Sequence, residues 1–231
     1  MPKTVQFKRP DGATTPGYLA EAAQPLGAVV VIQEWWGLND QIRGVAQRFA
    51  HAGFTALVPD LYRGKSTVEA EEAEHLKSDL DFADAASQDI HGAVQHLKGL
   101  KLGSGKVGIT GYCMGGALTW LSAQASPEAD AIAVWYGMPG LDAIDPAKLK
   151  LPVQAHWAKQ DEFFAIEQVD ALEAKLKGTG VAYEGHRYLA RHAFANETAQ
   201  GEGRIPQTQY DAAWAQQAWD RVMRFFGQHL A

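Results

Sequence analysis

The feature that most constrains the fold is a repeated alternation of short strand-like runs with segments of helical period. Ala28 to Ile32, Phe54 to Val58, Lys106 to Thr110, Ala131 to Tyr136, Val153 to Trp157 and Ala182 to Tyr188 read as strands, most of them continuous apolar runs of the kind a sheet buries on both faces. Between them, Asp40 to His51, a stretch with Ile90, Val94 and Leu97 on one face, Met114 to Gln124 and Ile166 to Lys177 read as helices. Strands linked by helices pair in parallel through right-handed crossovers, and functional groups then collect beyond the strand carboxyl ends. The expectation is an α/β fold with a mostly parallel central sheet covered by helices on both faces, as one domain over residues 1–231. Ahead of it, Val5 and Phe7, the turn at Asp11-Gly12 and the segment Gly17 to Ala20 suggest an antiparallel hairpin at a sheet edge. The acidic stretch with Glu69, Glu71, Glu72 and Glu74 reads as solvated surface. A loop from Leu189 to Pro206 precedes a final amphipathic helix, Gln209 to Gln228, with Trp214, Ala218, Val222 and Phe225 on one face.

Composition narrows the function. A net charge of −6 gives no basic surface for phosphate backbones, so nucleic acid is not an expected partner. No apolar run approaches the roughly 20 residues of a membrane-spanning helix. One cysteine closes no intrachain disulfide, and the opening residues lack a secretory pattern, so a cytoplasmic location is expected. Neither an H-E-x-x-H motif nor a Cys/His cluster is present, so no metal and no cofactor are expected.

That one cysteine lies in Gly111-Tyr112-Cys113-Met114-Gly115-Gly116, between a strand and a helix, in the G-x-S-x-G pattern of a nucleophile elbow with cysteine in the serine's place. A side chain raised on so sharp a turn demands strained backbone, and glycines at 111 and 115 remove Cβ atoms that would block it. The following helix aims its first amides at the sulfur, which favours a thiolate and later a tetrahedral oxyanion, with the Met114 amide as a donor. A thiol with an ordinary pKa of about 8.5 needs a base. His192, in the loop after the last strand, and Asp161, after the strand ending at Trp157, supply a base and its orienting acid in the chain order nucleophile, acid, histidine. Alone, Cys113 reads equally as a small buried residue between turn glycines, and Asp161 as a helix cap. Trp35, Trp36, Trp135, Tyr136, Phe163 and Phe194 are candidates for an aromatic pocket or for ordinary core.

Together with Gln33-Glu34-Trp35-Trp36-Gly37, Pro59-Asp60-Leu61-Tyr62, Asp161-Glu162-Phe163 and His192-Ala193-Phe194-Ala195, these motifs resemble the dienelactone hydrolase (carboxymethylenebutenolidase-like) family of the α/β-hydrolase fold over nearly the whole chain. The resemblance implies a Cys113-His192-Asp161 triad that cleaves a lactone or carboxylic ester without a cofactor, and a monomer. It adds Glu34, which in this family lies beside the cysteine. Glu34 is then expected to contact the resting thiol until substrate displaces it, and the Trp35 amide to be the second oxyanion donor. In the family, arginines hold the substrate carboxylate, one of them four positions beyond the histidine. Here that position is Asn196, and Arg63, Arg187, Arg191 and Arg204 are the remaining candidates. Trp36, Tyr136, Phe163 and Asn196 are the expected substrate contacts, and the partner is a small ester or lactone. Two other functions fit the same residues: a thioesterase acting on a different acyl substrate, and a redox-sensing thiol on an inactive hydrolase scaffold. The sensor would need an external thiol, since no second cysteine is present, and has no use for an aligned acid and histidine.

Overall fold

The computed structural model describes residues 3–202 and 204–231. Gly203, within the Leu189 to Pro206 loop, lies outside them. Eight strands form one sheet in the order β1-β2-β4-β3-β5-β6-β7-β8. Strands β1 (Lys3–Lys8) and β2 (Thr14–Ala20) are the expected hairpin, antiparallel to each other, and β2 runs antiparallel to β4 (Phe54–Pro59). From β4 onward, through β3 (Gly27–Ile32), β5 (Val107–Tyr112), β6 (Ala131–Trp135), β7 (Val153–Ala158) and β8 (Tyr183–Tyr188), every pairing is parallel. β3 through β7 are buried at every residue, which is why β3 and β6 read as unbroken apolar runs, while β7 buries Gln154 and His156 among its apolar residues.

Helices cover both faces. Helix α1 (Asp40–His51) begins where the Asn39 side chain accepts a hydrogen bond from the Ile42 amide at 3.1 Å, and it buries Ile42, Ala46 and Phe49. Helix α7 (Ala212–Leu230) begins after Asp211, whose carboxylate accepts from the Trp214 amide at 3.0 Å. That cap sets the start three residues beyond the position expected from apolar spacing. On this face Val29, Val31 and Ala133 of the sheet pack with Phe49, Val222 and Phe226. The other face packs Val30, Ile109 and Val134 against α4 (His91–Leu100), α5 (Met114–Ala125) and α6 (Ile166–Leu176). A short helical turn α3 (Phe82–Asp84) and a π-helical turn at Ala85–Ile90 lead without interruption into α4. The π-turn turns Asp89 inward, where Arg63 holds both of its oxygens at 2.8 and 2.9 Å.

The acidic segment is exposed as expected, at Glu69, Glu71, Glu72 and Glu74 alike. It forms helix α2 (Ala70–Ser78), which follows Glu69 without a side-chain cap, and only Ala73 of it is buried. Two of its carboxylates, Glu69 and Glu74, also border the cavity described below. Among the described residues no helix is long and apolar enough to cross a membrane.

Candidate active site

Strand β5 stops at Tyr112 and α5 starts at Met114, leaving Cys113 to make the whole turn with φ 54° and ψ −116°. A non-glycine residue in that region stores about 1–3 kcal/mol of strain. The neighbouring sequence forces it. A Cβ on Gly111 would stand 2.1 Å from the Gly115 carbonyl oxygen, and one on Gly115 would stand 2.6 Å from the carbonyl oxygens of Ile32 and Gln33. Strand and helix therefore meet only through glycine. The turn is fixed by the Cys113 amide donating to the Trp135 carbonyl at 3.0 Å, and the side chain is left half-buried.

His192 enters from the loop after β8. A bridge to Thr208 and the Gln209 amide donating to the His192 carbonyl at 2.9 Å hold its backbone. The next residue, Ala193, takes φ 58°. The imidazole lies against the rings of Tyr136 and Phe163, with centroids 5.1 and 4.9 Å away. Asp161, just past the end of β7, places Oδ2 2.7 Å from His192 Nδ1, and its Oδ1 accepts from the amides of Phe163 and Phe164 at 2.8 and 3.0 Å. Burial opposes a charged imidazole. The Cys113 charge, and hydrogen bonding with Asp161 and Cys113, outweigh it and raise His192 from 6.5 to about 10. The structure thus brings the three sequence candidates together, with His192 between Cys113 and Asp161.

Glu34 lies at the carboxyl end of β3 and is buried. Its Oε1 accepts from the Tyr136 hydroxyl at 3.2 Å and its Oε2 from Asn196 Nδ2 at 2.6 Å. Among the described residues no hydrogen bond joins it to Cys113, so the resting contact expected between carboxylate and thiol is replaced by these two donors. Burial pushes the Glu34 carboxyl above its usual range, and the positive His192, Asn196 and Tyr136 pull it back only partly. The Gly37 amide donates to the Glu34 carbonyl at 3.3 Å, closing a turn with Trp35 and Trp36 at its centre. A turn of this kind leaves the amide of its first central residue outside the turn bond, and the first residue of a helix has no partner in its own helix. These are Trp35 and Met114, the two expected oxyanion donors.

A cavity of about 1230 Å³ opens over this cluster, with Glu34, Cys113, Met114, His192 and Asn196 at its base. Of the aromatic candidates, Trp35, Trp36 and Phe163 line it. Trp135, Tyr136 and Phe194 do not. Each is at most 1% exposed, and Trp135 stacks between Tyr112 and His156 with centroids 5.0 and 4.8 Å away. Tyr136, at φ 36°, spends its hydroxyl on Glu34 and so supports the site instead of facing a ligand. Asn196 both lines the cavity and holds Glu34. Phe82, Leu121, Met138 and Phe164 add to the apolar wall, and none of them was singled out by the sequence.

The arginine candidates separate cleanly. Arg63 is committed to Asp89, Arg187 to Asp170 and Glu173 at 2.7 and 2.6 Å, and Arg191 to the Pro206 carbonyl at 3.1 Å. Arg204 does line the cavity, though its Nη1 is shared among the carbonyls of Ile205, Pro206 and Thr208. Lys77, from α2, is the other cation on the wall and is paired with Glu74 at 2.7 Å. Against them stand the carboxyl groups of Glu34, Asp40, Glu69, Glu74 and Glu202. Among the described residues no group of three or more His, Cys, Asp or Glu is arranged to hold a metal ion.

Protein usf of Aquifex pyrophilus is 33% identical over 238 residues, covering 100% of both chains. A protein of Aquifex aeolicus provisionally named as a carboxymethylenebutenolidase is 30% identical over 238 residues, again covering 100% of both. Among solved structures, a dienelactone hydrolase-like promiscuous phosphotriesterase from metagenomic libraries superposes with a TM-score of 0.82 at 23% identity, covering 100% of this chain and 99% of that one. That likeness establishes the α/β-hydrolase fold. The family model for dienelactone hydrolases matches residues 15–230, and on that match the chain belongs to the dienelactone hydrolase family.

Proposed function

We propose that this chain is an ester-bond hydrolase that cleaves a lactone or carboxylic ester through a Cys113-His192-Asp161 triad. The observation that carries the reading is the strained elbow, which presents Cys113 to a histidine whose Nδ1 is 2.7 Å from a buried aspartate. His192 Nε2 takes the thiol proton, and the sulfur attacks the substrate carbonyl carbon to form a C–S bond. The amides of Trp35 and Met114 hold the resulting oxyanion. When the tetrahedral centre collapses, the C–O bond breaks and the His192 imidazolium returns its proton to the leaving alkoxide. For a lactone, the released hydroxyl remains tethered to the acyl group. Water then gives a proton to His192 and attacks the thioester, which releases the acid and restores the thiol. Asp161 fixes the tautomer throughout. Every proton and electron pair in the cycle is handled by these residues and water.

Glu34 acts at one remove. A carboxyl biased toward its neutral form by burial opposes a nearby thiolate less than a full negative charge would, and its bonds to Tyr136 and Asn196 hold the Trp35 turn in place. Its role in this reading is to position the oxyanion loop and tune the sulfur.

The substrate is a neutral ester or lactone with an apolar body. This is supported by the aromatic wall and by the excess of carboxyl groups over cations around the cavity, with Asn196 at its base. A matched pair tests it: a neutral enol-lactone and its carboxylate-bearing analogue. The neutral compound is expected to be favoured in kcat/KM by about tenfold or more, a difference of about 1.4 kcal/mol. Preference for the carboxylate would refute the substrate assignment while leaving the hydrolase intact. Turnover of neither, nor of any simple aryl ester, would refute the hydrolase itself.

A further inference from the structure

The cavity over Cys113 is not uniform, and its apolar part has a definite shape. Met114, Ala117 and Leu121 all line it. At spacings of three and four they share one face of α5, so they form a strip that leads away from the elbow. From Met114 through Ala123 every residue of α5 is buried except Leu121, which leaves one apolar side chain uncovered at the far end of the strip.

Walls stand on both sides of the strip. After β6 the chain passes alongside α5. At the near end a Cβ on Gly137 would overlap the Cys113 carbonyl oxygen, and at the far end Gln124 donates to the Ala143 carbonyl at 3.0 Å and accepts from the Asp145 amide at 2.8 Å. That segment is pinned beside both ends of the helix, and Met138 within it lines the cavity. Phe82 stands on the opposite flank, because its turn leads into α4 over β3 and β5, whereas the pinned segment follows β6. The Gln124 bonds cross between helix and segment one turn beyond Leu121, and Gln124 itself does not line the cavity, so the slot ends at Leu121. From Met114 to Leu121 the helix advances about 10 Å, the length of an extended chain of about eight carbons.

The orientation of an ester in this slot follows from the position of His192. In the proposed cycle the leaving oxygen meets His192, which enters from beyond β8 on the loop that brings Thr198, Gln200 and Arg204 to the polar side of the cavity. The acyl chain then extends the other way, along α5.

We propose that the slot along α5 is an acyl-chain subsite, that the substrate is an ester of a straight medium-chain acid of about eight carbons, and that Leu121 sets the chain length. The proposal rests on the hydrolase reading and names its substrate class.

A series of p-nitrophenyl esters from acetate to dodecanoate tests it. The value of kcat/KM should rise about twofold to fourfold with each added methylene and level off near octanoate. In Leu121→Trp the octanoate-to-acetate ratio of kcat/KM should fall by about tenfold or more, and in Leu121→Ala the plateau should move to longer acids. A second readout does not depend on turnover. 2-Nonanone carries the octanoyl skeleton without a bond to cleave, and its titration into the ¹⁵N-labelled chain should give saturable shifts at the Ala117 and Leu121 amides, with affinity weakened about tenfold or more in Leu121→Trp. A flat acyl series, a chain-length dependence confined to the alcohol of acetate esters, an octanoate-to-acetate ratio unchanged in both Leu121 variants, or absence of 2-nonanone shifts up to its solubility limit would each overturn the subsite. Saturable 2-nonanone binding without turnover of any ester would instead overturn the hydrolase reading and leave the slot standing.

Discussion

Asp161 Oδ2 sits 2.7 Å from His192 Nδ1, while Oδ1 of the same carboxylate is clamped by the amides of Phe163 and Phe164. The pair is almost entirely enclosed, with side chains 1% and 4% exposed. An aspartate held from both sides fixes the orientation of the imidazole and leaves Nε2 as the ring nitrogen not engaged by Asp161.

Replacement of that carboxylate by an amide tests the relationship. Asp161→Asn is expected to leave the fold intact and lower kcat by about 10³–10⁴-fold with KM little changed, because the wrong imidazole tautomer then faces the sulfur. Steady-state kinetics on an aryl ester measures this; a loss of less than about tenfold would remove Asp161 from the mechanism.

Two histidines predict opposite pH dependences of stability. His192 is raised from 6.5 to about 10, so its contribution is complete below 6.5 and disappears as pH rises toward 10. His156 is fully buried between the Trp135 and His186 rings. Burial, followed by His186 and Arg221, depresses it well below 6.5. The unfolded chain then binds a proton that the folded chain refuses, so stability falls as pH drops below 6.5. Denaturant melts across this range should show the alkaline slope reduced in His192→Asn and the acid slope reduced in His156→Asn. Slopes identical to the parent in both variants would contradict the assignment.

The elbow glycines give a sharp contrast with a helical one. Gly111→Ala places its new methyl 2.1 Å from a backbone carbonyl, and a cost above about 3 kcal/mol, or failure to fold, is expected. Gly99→Ala, inside α4 with nothing within 4 Å of the added carbon, should instead stabilise by about 0.5–1 kcal/mol. Thermal and urea melts of the two variants decide it, and equal effects would contradict the close-packing argument.

These contrasts follow from how unevenly sequence patterns carry structure. The elbow was legible because Gly111, Cys113 and Gly115 bracket a strand-to-helix junction that backbone sterics alone demand. Asp161 and His192 were legible because a parallel sheet brings the ends of β7 and β8 to the same edge as the end of β5. Helix α2 was not, since Ala73 is its only buried residue and no apolar stripe marks its position over the cavity. Lys77, on the same helix, was hidden for the same reason. Trp135 and Tyr136 could be located near the site but not assigned a side. Their orientation depends on the register Tyr112↔Trp135↔His156 and on the backbone turn at Tyr136, neither of which is encoded locally. The Glu34 contacts were likewise invisible, because Asn196 stands 162 positions away in sequence.

The central claim is that Cys113 carries the acyl group. Rapid mixing with p-nitrophenyl acetate, quenching and peptide mass analysis test it most directly. The account predicts a stoichiometric burst of nitrophenolate, an acetyl group on the peptide containing Cys113, and loss of both in Cys113→Ala. Undiminished turnover by Cys113→Ala, or acetylation of a different residue that is kinetically competent, would contradict it.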